Sequence, residues 1–488
     1  MIFLGDVPRL VDARLSPEAQ ELASQTTVIP LRRRDILAAL NDTREVEIQL
    51  QPGTSFLSHV VPPKRTLLCQ LRQDGDDRWA FICNTDRQLA HADAIIKLKG
   101  KWDISQYDAM DGTNRLLESI YANGWTRISW SFPAHGSLLL RTEPRKSNSD
   151  VQKLSEHDMK WQECGYVSAP TSFSLSEPNV LLLDMAEFRV ERGDDLPWEP
   201  AEELLRLDDR LRDRYGFPTK GGSYAQPWAT KGEVQSTAYP LQLKFQFVTS
   251  ATIEDAQLAI EDPELHRIFL DGTEISTADS KGFFVDRHIP TLSLPPITPG
   301  SHSLIVTRDY RSDSNLEWMY LLGSFGVQVA GRNATIIPMP KSLQFGDWTT
   351  QGFPFYAGNI TYNCEFVVPP EATSNLAVLV DRFVGPLLRI HLDDDEVGRA
   401  LAFAPYTLPI TGQGEAALTP GSTHKLRITV YGSRINAFGA LHNSNDDYFW
   451  FGPNAWRTSG DEWCYEYRIK KAGILLTPRL IITHSGSE

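Results

Sequence analysis

Two stretches in the second half of the chain carry the same features in the same order about 120 residues apart, and this internal repeat constrains the fold more than any other feature. Leu258-Ala259-Ile260 corresponds to Leu376-Ala377-Val378. His266-Arg267-Ile268-Phe269-Leu270-Asp271-Gly272 corresponds to Leu388-Arg389-Ile390-His391-Leu392-Asp393-Asp394, and Thr298-Pro299-Gly300-Ser301-His302 to Thr419-Pro420-Gly421-Ser422-Thr423. Leu258 to Leu376, Leu270 to Leu392 and Pro299 to Pro420 are offsets of 118, 122 and 121 residues. Each unit reads as a strand, a second strand ending in an Asp-Gly or Asp-Asp turn, an apolar strand, a Pro-Gly turn and a long final strand. That period is too long for a solenoid, so it predicts two separate sandwich domains of like fold, at 175–345 and 346–480.

The remaining length sets what surrounds the pair. At 488 residues the chain exceeds a single hydrophobic core, and three or four domains are expected. From about Arg44 the apolar residues alternate (Val46, Ile48, Leu50), with turn signals at Asp74-Gly75, Asp111-Gly112 and Asn123-Gly124. Residues 41–150 therefore read as a small antiparallel β domain. Upstream, Ile2-Phe3-Leu4 reads as a buried-type strand and Ser16-Pro17-Glu18 as the opening of a helix. Residues 1–40 are thus the strand and helix of an α/β domain, a remnant or a truncated product; the alternative is a strand that joins the β domain after it. A helix is predicted at 199–215, inserted in the first sandwich, with Leu204, Leu207 and Leu211 on one stripe, Gly216 at its end and a solvated charged face. The fold class is mostly β: two tandem β-sandwiches preceded by a small antiparallel β domain and an α/β remnant.

Net charge is −14, so nothing offers a phosphate backbone or an anionic lipid surface an electrostatic footprint; neither nucleic acid nor membrane is an expected partner. No apolar run approaches a membrane span. The apolar stretch at Met1–Leu4 is too short for a secretion signal, which makes a cytoplasmic location the expectation. Five cysteines (Cys69, Cys83, Cys164, Cys364, Cys464) show neither zinc spacing nor a disulfide framework, and Cys69 and Cys83 read as buried free thiols beside a hairpin. No metal or other cofactor is expected. His266, His288, His302, His391 and His442 lack ligand spacing, and the acidic run Asp393–Glu396 reads as a turn as readily as a calcium site.

The pattern of strand, Asp-Gly, strand, Pro-Gly and long strand resembles the galactose-binding-type jelly rolls attached to large glycoside hydrolases, including family-two enzymes and α-L-rhamnosidase-like proteins. It is carried most specifically by Gly346–Asn359, Gly432–His442 and Phe451–Arg457. The resemblance implies galactose-binding-like sandwiches and a carbohydrate-related ancestry. Such hydrolases hold their catalytic carboxylates on a (β/α) barrel, whose strand-helix alternation this chain does not show.

A sugar site needs flat aromatic faces beside hydroxyl-binding groups. Two clusters have that mixture: Trp348, Phe355, Tyr356 and Asn359, and Arg434, Asn436, His442, Trp450, Trp456 and Arg457. These are the candidate ligand-binding residues. No catalytic pair can be picked out among the carboxylates; Asp309, Asp313, Glu317, Asp347, Asp461 and Glu462 lie beside aromatics. The leading expectation is a hydrolase-related protein without the barrel, binding a carbohydrate or glycoside through sandwich loops. The alternative is a stand-alone small-molecule-converting enzyme, such as a biosynthetic cyclase, acting in an interdomain pocket by positioning its substrate. A third reading makes the chain a contact fragment whose partner is a barrel-bearing hydrolase subunit.

Overall fold

The computed structural model describes residues 2–50, 66–110, 112–146, 151–152, 160–190, 197–218, 237–278, 280–372, 376–410, 419–445, 456 and 459–484. Its contacts divide into two compact units, one built from the first 159 residues and one from Lys160 to His484, with 403–405 grouped with the former.

In the N-terminal unit, strand Ile2–Leu4 runs parallel to strand Thr27–Ile29, with helix Glu18–Ser24 between them. The first strand thus pairs inside its own segment and not with the β domain after it. Glu18 and Glu21 lie in the first turn of the helix, where negative charge offsets the helix dipole. The β domain forms two five-stranded sheets. Asp74 pairs with Asp77 around Gly75 at φ +61°, and Ala122 pairs with Trp125 around Asn123 and Gly124, both at positive φ. Both tight hairpins need that left-handed backbone, so the Asp-Gly and Asn-Gly signals mark real turns. Alternate residues from both sheets, among them Ile82, Ile96, Ile128 and Leu140, fill one core. All five cysteines are free thiols; Cys69 is exposed and Cys83 half-buried, contrary to the buried pair expected, because Cys69 lies on the edge strand Leu67–Asp74, whose core-facing Leu67 and Leu71 are themselves only half-buried.

The second unit holds two β-sandwiches. The first pairs a sheet of strands Asn179–Leu183, Met319–Gly323, Gln257–Ala259, Pro290–Ser293 and Ser280–Phe283 with a larger sheet centred on Tyr239–Thr249 and Gly300–Tyr310. The second is centred on Ile360–Val367 and Thr423–Val430. It also contains Lys160–Tyr166, paired with Arg479–His484, and Ser172–Leu175, paired with Ile360–Val367. Those two strands precede the first sandwich in sequence, so the first sandwich is inserted into the second, and 346–480 is not the whole of the later domain. Consecutive strands are usually neighbours, and this long-range pairing breaks that rule. Among the described residues no sheet closes into a barrel.

The repeat has a physical core. Asp271 and Asp393 both sit at positive φ after a short strand. Asp271 Oδ2 bonds His302 Nδ1 at 2.6 Å and its Oδ1 accepts from Ser303 N; Asp393 does the same with His424 Nδ1 at 2.8 Å and Lys425 N. Each histidine stacks on its cross-strand phenylalanine, Phe247 or Phe366. His302 therefore corresponds to His424, one residue beyond the Thr423 match read from the Pro-Gly turn. Asp393 is taken up by this staple and Asp395 by the backbone N–H groups of Val397 and Gly398, so the acidic run serves its turn.

The helix spans Leu204–Tyr215, with Glu199–Glu203 extended before it. Glu203 caps it by accepting from Leu205 N and Arg206 N, and Gly216 closes it in the left-handed region. Leu204, Leu207 and Leu211 are buried as the stripe requires. The charged face is not wholly solvated: Asp208 and Arg212 are buried as an i,i+4 pair, Tyr310 donates to Asp208 Oδ1, and Arg212 donates to the carbonyls of Pro218, Ser312 and Ser314.

Candidate functional site

The first aromatic cluster lies in the interior. Trp348, Phe355 and Tyr356 are 1%, 0% and 1% exposed. The segment joining the sandwiches sends Trp348, Phe353 and Tyr356 into the second core and Phe355 into the first. Tyr356 accepts from Ser176 N and donates to Asn359 O, and Phe355 packs edge-on to Tyr467 at 5.0 Å. These rings present no face to a ligand. Asn359 is a loop pin, its Oδ1 accepting from Gly432 N at 3.2 Å. Gly432 must be glycine, because a Cβ there would collide with the carbonyls of Ala357 and Gly358.

Of the second cluster, Arg434, Asn436, His442 and Trp456 belong to the crossover between strands Thr423–Val430 and Gly473–Ile474, which leaves the second sandwich and packs on the first core through Phe438, Leu441, Trp456 and Tyr467. Asn436 ties its two limbs together, donating to Lys470 O and accepting from Lys470 N. Trp456 donates Nε1–H to Phe438 O at 2.9 Å. Trp450 and Arg457 lie outside the described residues.

His442 brings the crossover to a buried polar centre. Asp184, at the end of strand Asn179–Leu183, accepts from His442 Nε2 at 2.8 Å and from Tyr467 Oη at 2.6 Å. His442 Nδ1 faces Cys464 O at 3.0 Å. Both ring nitrogens thus meet acceptors, which suits an imidazolium. Burial opposes that charge, yet the Asp184 carboxylate outweighs it and raises the His442 pKa above its ordinary value. The Glu203 carboxylate lies in the same centre, accepting from Trp318 Nε1 at 2.5 Å as well as capping the helix. Burial pushes its pKa up to about 7 against the pull of those donors, with Asp184 adding to the rise. Tyr465 donates to Glu202, and the Arg206 guanidinium lies 4.4 Å from the Trp463 ring centre.

Both shifts act in one direction. A raised folded pKa gives stability that is full below the unfolded value and lost as pH rises through the folded one. Glu203 loses its contribution on going from its ordinary range near 4.5 through about 7, and His442 loses its own above 6.5. Thermal stability is therefore expected to fall between about pH 5 and pH 8, and Glu203→Gln to flatten that slope. Scanning calorimetry at three pH values checks this; a stability that rises over the window would refute it.

A second feature is an open groove of about 490 Å³ where the two sandwiches meet, lined by Phe173, Ser174, Glu177, Asn179, Ser324 and Lys341 among others. Arg434 reaches Glu177 with both terminal nitrogens, binding both carboxylate oxygens, the second at 2.9 Å. Asn179 is fully buried and donates from Nδ2 to Phe325 O at 2.8 Å and to Gly352 O at 3.0 Å, while its Oδ1 has no partner. Of the residues anticipated from the sequence, the structure brings Arg434 to the groove and His442 to the buried centre. Glu177, Asn179, Asp184, Glu203 and Lys341 were missed. Asn179 and Asp184 had a signal: they are the polar ends of the apolar run Val180–Leu183.

No protein-family model matches the chain, and no curated protein matches it. Among solved structures, a rhamnosidase from Novosphingobium sp. PP1Y is similar at 12% identity and a TM-score of 0.42, over 98% of this chain and 30% of that one. An α-L-rhamnosidase from Streptomyces avermitilis, complexed with L-rhamnose, is similar at 13% identity and a TM-score of 0.26, over 86% and 40%. A GH2 β-galacturonidase from Eisenbergiella tayi bound to galacturonate follows at 12% identity and a TM-score of 0.18, over 54% and 38%. The chain spans less than half the length of these enzymes, and likeness at this level assigns it neither a family nor an activity.

Proposed function

We propose that this chain binds a carbohydrate-type ligand in the groove between its two sandwiches. The observation that carries the reading is the groove's lining: the hydroxyls of Ser172, Ser174 and Ser324, with the half-buried Phe173 ring beside them. Hydroxyl-rich ligands use directional donors and acceptors next to an apolar surface. Isothermal titration with rhamnose-, galactose- and uronate-containing oligosaccharides is expected to show binding that Ser174→Trp, filling the groove from an exposed position, removes. Absence of heat at millimolar ligand refutes the reading.

A second reading follows from the buried centre. Asp184, His442, Tyr467 and Glu203 gather an imidazole whose pKa stands above its ordinary value and a carboxyl whose pKa is about 7, groups of the kind that serve general acid–base chemistry. It supports conversion of a small molecule by this chain alone. Incubation with extracts of small metabolites tests it, since turnover lost in Glu203→Gln but kept in Ser174→Trp would favour the centre over the groove.

A further inference from the structure

We propose that the groove takes up an extended peptide segment, which adds itself as a further strand to the open edge of Ser172–Leu175. This binding activity goes beyond the carbohydrate reading, and the two ligands would exclude one another. Ser172–Leu175 is the outermost strand of its sheet and pairs only with Ile360–Val367. The groove is lined by residues of both side-chain phases, Ser172 and Ser174 as well as Phe173 and Leu175, so it runs along the edge of the strand and not over one face. Register fixes which backbone groups are in use. The ladder continues with Ser176 N–H donating to Asn359 O at 3.1 Å, so Ser174 and Ser172, two and four residues back, also bond to the neighbouring strand. Phe173 and Leu175 therefore turn their N–H and C=O groups away from it, and among the described residues those groups have no hydrogen-bond partner.

The chemistry of that edge selects its occupant. Phe173 and Leu175 each offer one donor and one acceptor, repeated after two residues, about 6.8 Å along a strand. Another extended backbone carries the same groups at the same spacing and pairs with them group for group, its main chain supplying affinity and its side chains selectivity. The side chains of Phe173 and Leu175 are half-buried against the second core, with Phe173 edge-on to Phe353 at 5.6 Å, while Ser172 and Ser174 are exposed. Residues directly opposite one another in a sheet share a face, so peptide residues opposite Phe173 and Leu175 complete their apolar cover, and those between lie beside the serine hydroxyls. The occupant is thus a short segment of alternating apolar and hydroxyl-bearing residues. Natural sheet edges are commonly guarded by lysine or proline, and Ser172-Phe173-Ser174-Leu175 contains neither.

The test titrates the full chain with an end-blocked five-residue peptide of alternating threonine and valine, by calorimetry up to millimolar concentration. Binding is expected, and Ser174→Trp, which fills the groove, should remove it. N-methylation separates strand pairing from apolar contact, because only alternate amides of an added strand face the protein. Methylating one alternate set should weaken binding about ten-fold, two hydrogen bonds at about three-fold each, while methylating the other set should leave it within about two-fold. Absence of heat, equal loss from both methylated sets, or undiminished affinity in Ser174→Trp overturns the inference. Simultaneous binding of the peptide and of a carbohydrate that Ser174→Trp excludes likewise overturns it, since one wall cannot hold both.

Discussion

Replacing Asp184 with alanine is expected to lower the unfolding free energy of the second unit by about 3–5 kcal/mol, the cost of breaking a buried charge pair by removing one partner. The carboxylate sits between two donors, His442 Nε2 and Tyr467 Oη. Without it a buried imidazole N–H and a buried phenol O–H both lose their acceptor. Asp184→Asn keeps the shape and one acceptor oxygen, so its loss should be smaller, about 1–3 kcal/mol. Because both donors come from the crossover, the loss should concentrate there. Limited proteolysis should cut between residues 431 and 472 in the alanine variant well before the wild-type chain. Urea unfolding gives the magnitude, and a loss under 1 kcal/mol with unchanged proteolysis would show that the crossover is held by its apolar contacts alone.

Those apolar contacts explain why some features were legible and others were not. Local chemistry read correctly: Asp-Gly and Asn-Gly turns, the leucine stripe of the helix and its closing Gly216 are all decided within a few residues. The repeat was legible because both sandwiches solve one local problem, a strand end whose aspartate holds a histidine 31 residues later. What escaped are pairings far apart in sequence. Glu177 meets Arg434 across 257 residues and Asp184 meets His442 across 258. Nothing near any of these four residues signals its partner. Strands Lys160–Tyr166 and Ser172–Leu175 escaped for the same reason, since their partners lie on the far side of an inserted domain.

The aromatic cluster at 348–356 lies in the interior, and Trp348→Ala tests whether it serves packing or binding. Aromatics among glycines and prolines suggested an exposed loop, yet a short linker between two cores has the same composition. Its bulky residues must alternate between two interiors, and its glycines and prolines set the bends that aim them. Trp348 meets Tyr356 edge-on at 6.3 Å, and a Cβ on Gly473 would stand 3.0 Å from its ring. Truncation to alanine should therefore cost about 3–5 kcal/mol, as for other large buried side chains, while any carbohydrate affinity measured on the folded fraction stays at the wild-type value. Trp348→Phe separates packing from polarity. The indole Nε1–H is buried and has no partner, so phenylalanine keeps much of the contact surface and removes an unsatisfied donor. Its cost should fall to about 1 kcal/mol or less. The opposite pattern, stability kept and binding lost in the alanine variant, would put the indole face back in contact with ligand.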